Sequence, residues 1–361
     1  MNADKLKASK VKADNGAPAP REWPRLRPAT WPLGFHLRAS AFIGGSLIFI
    51  ATAQAQTVAA PTRDAPEPAG AVVEKKASFA KRDMVATANP LATEAGLEIL
   101  AKGGSAVDAA VAVQLVLNVI EPQSSGIGGG AFMLHFDAAK KSTVAYDGRE
   151  TAPMAATPQL FLDADGKPMR FADAVRSGRS VGVPGVLRAL EAAHAAYGKL
   201  PWAALFAPAI HLAENGYALT ARTMQQAGGS QILQSTAETR AIFFNTDGTP
   251  KAVGTVVKNP ALAKALKRIA AGGADAFYKG EIARDIVAAV RAHVRPGLLT
   301  EADMSGYRVR IDDPVCGNYR VYRLCGMPMP SSGGVAILQM LGMLERFDVA
   351  ALKPVSAESI H

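Results

Sequence analysis

The sequence predicts a layered α+β fold, on three observations. Two helix-spaced segments stand back to back before residue 120, two strand-like segments follow at once, and helical spacing dominates from there onward. Hydrophobic residues make up 49% and charged residues 20% of the 361, which suits a packed core and excludes a disordered chain. That length holds one large domain or two small ones.

The N-terminus stands apart from that pattern. Residues 1–38 carry eight Lys and Arg with several prolines and no apolar period, and an apolar run follows over residues 39–53. Ala53-Gln54-Ala55 then offers the small residues that signal peptidase accepts. A basic region, a short apolar stretch and an A-x-A site read as an export signal over residues 1–55. The alternative is a membrane anchor, but the run is shorter than the ~20 residues that cross a bilayer. The expected location is therefore periplasmic or secreted. Eight Lys and Arg against three Asp and Glu give residues 1–55 a charge of +5 out of the chain's +9. What remains is an ordinary solvated surface, with no basic cluster pointing to nucleic acid. Residues 56–79, rich in Ala, Pro, Glu and Lys, read as a flexible leader, and the ordered domain is expected over residues 80–361.

Helical spacing over residues 91–101 stops at Gly103-Gly104. Ser105 can cap the next helix, over residues 106–119, which ends before Pro122. That helix is apolar on nearly every face, the mark of a buried one; Asp108, Gln114 and Asn118 argue against a membrane span. Residues 132–136 and 143–146 read as antiparallel strands joined by a polar turn. Helices are expected over residues 186–197, 203–215, 261–270, 281–292 and 333–347, and β structure over 309–311 and 319–323. Residues 354–361 look like the capped first turn of a helix.

Cys316 and Cys325 flank an alternating stretch that can fold into a hairpin with Arg320-Val321 at its tip, which would set the cysteines opposite each other. Arg-Val is poor sequence for a two-residue turn. A disulfide and two buried thiols both stay open at this point.

Several tempting motifs fail on context. Gly126-Ile127-Gly128-Gly129-Gly130 follows a helix and precedes a strand, the reverse of a dinucleotide fingerprint, so the glycines read as tight turns or close packing beside a buried site. The six histidines (His36, His135, His194, His211, His293 and His361) show no metal-ligand spacing, and neither a metal nor a cofactor is expected. Ser331 and Ser332 lack the strand that precedes a nucleophile elbow and read as a helix cap.

The most informative stretch is Asp147-Gly148-Arg149-Glu150-Thr151-Ala152-Pro153. A guanidinium at Arg149 offers a fork of donors suited to a carboxylate, although the residues alone equally allow an exposed arginine paired with Glu150. Three further segments accompany it in order: Gly103-Gly104-Ser105-Ala106-Val107-Asp108-Ala109-Ala110, Gly126-Ile127-Gly128-Gly129-Gly130-Ala131-Phe132-Met133 and Met329-Pro330-Ser331-Ser332-Gly333-Gly334. Together, from about residue 82 to 361, they resemble the large chain of the γ-glutamyltranspeptidase family.

The resemblance implies an N-terminal nucleophile hydrolase, an αββα sandwich of which this chain is an incomplete, large-chain part. It implies an enzyme that cleaves the γ-glutamyl amide of glutathione or a related donor and passes the acyl group to water or an amino acid. Arg149 falls where the family binds the α-carboxylate of the γ-glutamyl group, and Glu150 on an acidic neighbour that would orient the arginine. The family's nucleophile is a threonine leading a second, smaller chain. No threonine here is followed by His or Thr, so the chain alone is expected to be inactive and to need that small chain as partner. The alternatives are a related acylase of the same fold and a non-catalytic exported remnant.

Overall fold

The structure, a computed structural model, describes residues 77–361 apart from 228–229, 231–232 and 235. The export signal over residues 1–55 and nearly all of the leader over 56–79 lie outside the described residues.

Helix α1 spans Pro90–Ala101; the Asn89 side chain accepts from the Leu91 N–H, and Pro90 sits in the first turn, where its missing N–H costs nothing. Helix α2, Ala106–Ile120, begins with a capping box: Ser105 accepts from the Asp108 N–H while Asp108 accepts from the Ser105 N–H. Ten of its fifteen residues are buried, so all-round apolarity did mark a core helix.

Strands β1, Ala131–Asp137, and β2, Ser142–Gly148, form an antiparallel hairpin in the register Ala131↔Gly148 to Asp137↔Ser142. A third antiparallel strand, β3 (Arg310–Asp312), adds to β2, pairing Tyr146 with Ile311 and Asp147 with Arg310. Helix α3, Val186–Tyr197, packs on β1 and β2, and α2 packs on α3. The sheet thus has one helix-covered face, where His135 stacks on Tyr197 with ring centroids 4.0 Å apart. Its other face carries Phe132, Leu134 and Phe136, all exposed, Phe136 to 61%.

Helix α4, Ala207–Asn215, packs on α2, and α5, Pro260–Gly272, packs on α4, with α6, Glu281–Ala292, beyond. The helix expected over residues 203–215 begins instead as a 3-10 turn, Trp202–Phe206, because Pro208 cannot donate and belongs in a first turn. Short helices Phe171–Val175, Ala221–Ala227, Ala237–Phe243, Asp275–Tyr278 and Glu301–Gly306 were not expected; each is too short for a clear apolar period.

The C-terminal part is a second hairpin, β4 (Val315–Tyr319) and β5 (Tyr322–Gly326), with helix α7 (Ser332–Leu344) laid on it. Arg320 takes φ 54 at the tip. Its unfavourable turn is tied down: the Arg320 N–H donates to the Glu345 carboxylate, and its guanidinium donates to the Glu345 and Phe347 carbonyls. Cys316 and Cys325 are directly paired in register and joined by a disulfide. Ser331 caps α7, which stops at Leu344 rather than 347, and Ser356 makes a capping box with Ser359 over Ala357–Ile360.

Candidate functional site

The site forms where β2 runs out. Asp147 is the last residue of β2 paired to β3, and its buried carboxylate turns back to accept the Arg149 N–H at 3.0 Å. The Asp147 carboxylate also lies 3.8 Å from the guanidinium of Arg310, its partner across the sheet. Beyond Gly148 the backbone has no strand neighbour until Thr151, which exchanges both backbone hydrogen bonds with Val183.

Arg149 is exposed, and among the described residues its guanidinium makes no hydrogen bond or ion pair. Glu150 does not pair with it. Successive side chains of extended backbone point to opposite sides, and the Glu150 carboxylate lies over Gly129 and Gly130 instead. A side chain at Gly130 would overlap the Glu150 carboxylate, the Gly148 carbonyl and the Arg149 Cα, so this glycine permits a close approach. Gly126 and Gly128 face open space, so close packing explains only part of the glycine run. The Gly129 carbonyl accepts from the Gly185 and Val186 N–H groups, which joins the glycine loop to the start of α3.

Glu150 lines a cleft of about 530 Å³, with Gly126, Gly129, Gly130, Gln114, Glu121, Ser124, Ser125 and Arg222 among its walls. Its floor is a polar network that the sequence did not announce. Buried Glu121 accepts from the Asn89 side chain at 2.8 Å and the Gln123 side chain at 2.5 Å, with the Arg222 guanidinium at 3.5 Å. The Gln114 amide donates to Asn118 at 2.8 Å and to Ser125 at 2.9 Å. Gln114 and Asn118 stand one turn apart on an otherwise apolar helix. That spacing was the available signal, and it was used only to exclude a membrane span.

Tyr307 is the other residue that sequence reading missed. Its hydroxyl donates to the Arg149 carbonyl at 2.8 Å across a separation of 158 residues. Burial, then the charges of Asp147 and Glu150, push the Tyr307 phenol up to about 12, so it remains a donor. The disulfide lies in the second hairpin. Among the described residues no cluster of His, Cys, Asp or Glu could hold a metal ion, and no helix is long and apolar enough to cross a membrane.

Comparison with known proteins matches residues 92–361 to the γ-glutamyltranspeptidase family model. The glutathione hydrolase proenzyme of Bacillus subtilis (strain 168) is 42% identical over 276 residues, 76% of this chain and 46% of that protein. An acylase proenzyme, ACY 1 of a Pseudomonas species (strain V22), is 37% identical over 82% of this chain and 53% of its own. The crystal structure of Helicobacter pylori γ-glutamyltranspeptidase superposes with a TM-score of 0.74 at 34% identity, over 79% of this chain and 81% of that one. The chain spans about half the length of the curated relatives it matches. The mixed α/β architecture is that of the N-terminal nucleophile hydrolases, as a partial αββα sandwich.

Proposed function

This chain belongs to the γ-glutamyltranspeptidase family, in its large-chain region, and we propose that it supplies the donor-binding part of an enzyme cleaving γ-glutamyl amides such as glutathione. The feature that supports this reading is Arg149: a guanidinium with no partner among the described residues, on a backbone held from both sides, which the sequence resemblance matches to the family's carboxylate-binding arginine. A free planar fork at an exposed strand end is suited to a bidentate grip on an amino-acid α-carboxylate. Glu150 lines the cleft on the glycine-loop side and makes no ion pair with Arg149.

In this reading the nucleophile is supplied by the family's small chain, as a threonine whose own α-amino group takes its proton. Attack on the γ-carbonyl carbon forms the acyl-enzyme and expels the amine; water or an amino acid then takes the acyl group. Arg149 holds the far end of the donor, so that binding energy remote from the reacting bond orients the γ-carbonyl. The small chain would also cover the sheet face bearing Phe132, Leu134 and Phe136, which no described residue buries. A periplasmic or secreted location rests on the signal-like residues 1–55 and suits the Cys316–Cys325 disulfide.

A related acylase is the second reading, favoured by the likeness to ACY 1. Arg149 argues for a donor that carries an α-carboxylate. The test is turnover of γ-glutamyl-p-nitroanilide. Residues 56–361 alone should release no nitroaniline, and the same residues co-expressed with a matching small chain should release it readily. A reconstituted enzyme that prefers glutaryl over γ-glutamyl anilide would replace this reading by the acylase one.

A further inference from the structure

We propose that Tyr307, together with Asp147, is a positioning residue that pins the Arg149 peptide and so aims its guanidinium; this rests on Arg149 being the carboxylate anchor. Arg149 lies just past the sheet. The β1 pairing ends at Gly148 and the β3 pairing at Asp147, so neither polar group of the Arg149 backbone has a ladder partner. Both are satisfied by side chains instead: the N–H by Asp147 at 3.0 Å, the carbonyl by the Tyr307 hydroxyl at 2.8 Å. A strand end held only by water would fray; this one is gripped by two buried groups, Tyr307 being only 4% exposed.

Tyr307 is itself held. Its ring stacks on Tyr278 with centroids 5.9 Å apart and planes 11° apart, and the Tyr278 hydroxyl donates to the Pro184 carbonyl at 2.8 Å. A side chain at Gly185 would overlap the Tyr307 hydroxyl and the Gly148 carbonyl. Only glycine there lets phenol and strand end meet. The Thr151–Val183 bridge closes the far side.

The result is a fixed peptide carrying an otherwise uncommitted side chain. Ligand binding then orders only the arginine's side-chain torsions, which lowers the entropic cost of the contact. The Tyr307 hydroxyl is spent on the Arg149 carbonyl and Tyr307 is buried, so its effect on donors should run through Arg149.

The experiment is steady-state kinetics of the enzyme reconstituted with a matching small chain, as wild type, Tyr307→Phe, Arg149→Ala and the double variant. Two donors are used: γ-glutamyl-p-nitroanilide, and γ-aminobutyryl-p-nitroanilide, which lacks the α-carboxylate. Phenylalanine keeps the stacking on Tyr278 and removes only the donated hydrogen bond. Tyr307→Phe should raise the γ-glutamyl KM by roughly three- to ten-fold, with kcat within about two-fold. It should add nothing in the Arg149→Ala background and nothing for the γ-aminobutyryl donor.

An equal loss in both backgrounds, or on both donors, would show that Tyr307 serves the fold alone and would overturn the proposal. If Arg149→Ala leaves the γ-glutamyl KM unchanged, the anchor itself is wrong and the positioning role falls with it. If Arg149→Ala raises KM and Tyr307→Phe does not, the anchor stands and the positioning role alone fails. Should Tyr307→Phe not fold, Asp147→Ala is read in the same cycle, with the same background-dependent rise expected.

Discussion

Helices α2 and α7 are about equally apolar and meet opposite fates. Helix α2 is buried from Val107 to Ile120 between α1, α3 and α4, whereas α7 buries only Gly334 and leaves Ile337 50% and Met343 63% exposed. The difference shows that apolarity in this chain marks two kinds of contact, one completed within the described residues and one still open. The outer face of the β1–β2–β3 sheet belongs with α7: Phe132, Leu134 and Phe136 are exposed there. Contiguous apolar patches of this kind on a soluble protein mark surfaces that something covers.

That contrast is open to direct attack by mutation. The largest effect is expected in α2: Leu115→Ala should destabilise the chain by about 2–5 kcal/mol in denaturant melts, because it opens a cavity in the closed core. Asp108 should rank next. Fully buried, its carboxylate accepts the N–H groups of Ser105, Lys199 and Leu200 and so ties α2 to the loop after α3. Asp108→Ala leaves those donors without an acceptor and should cost about 2–3 kcal/mol.

The same residue gives a pH signature. Burial pushes the Asp108 carboxyl up, but the backbone N–H groups of Ser105, Lys199 and Leu200 outweigh it and hold it below 3.8. A lowered folded-state value stabilises above the unfolded value and is lost as pH falls through the folded one. The stability gap between wild type and Asp108→Asn should therefore be flat at neutral pH and shrink only below about pH 4. A gap that shrinks between pH 8 and 6 would point to a different group. The smallest effect is expected in α7: Ile337→Ala in residues 56–361 should change stability by no more than about 0.5 kcal/mol. A loss as large as that of Leu115→Ala would mean that α7 is already packed and would break the comparison.

Local chemistry was readable from the sequence, and long-range closure was not. Helix α2, its Ser105 cap and the β1–β2 hairpin follow from patterns within a dozen or so residues, and the structure has them nearly to the residue. The Arg320-Val321 tip was foreseen only as an unfavourable turn, because its compensation by Glu345 and Phe347 arrives from 25 and 27 residues away. Around Arg149 the same limit holds: the motif drew attention to the arginine, but nothing local announces that Tyr307 caps its carbonyl. The expectation that Glu150 orients Arg149 came from the family resemblance, which carries no local geometry. Extended backbone turns the two apart, and the contact that forms is Glu150 with the Gly129-Gly130 loop.

The central claim is that Arg149 grips the donor's α-carboxylate, and donor kinetics of Arg149→Lys in the enzyme reconstituted with a matching small chain test it most directly. Lysine keeps the charge and loses the planar fork, so one undirected contact replaces a paired one. The account predicts a fall in kcat/KM for γ-glutamyl-p-nitroanilide of about ten- to a hundred-fold, carried mainly by KM, with thermal stability unchanged. An unchanged donor KM in a folded Arg149→Lys enzyme would contradict it and leave Arg149 as a solvated surface arginine.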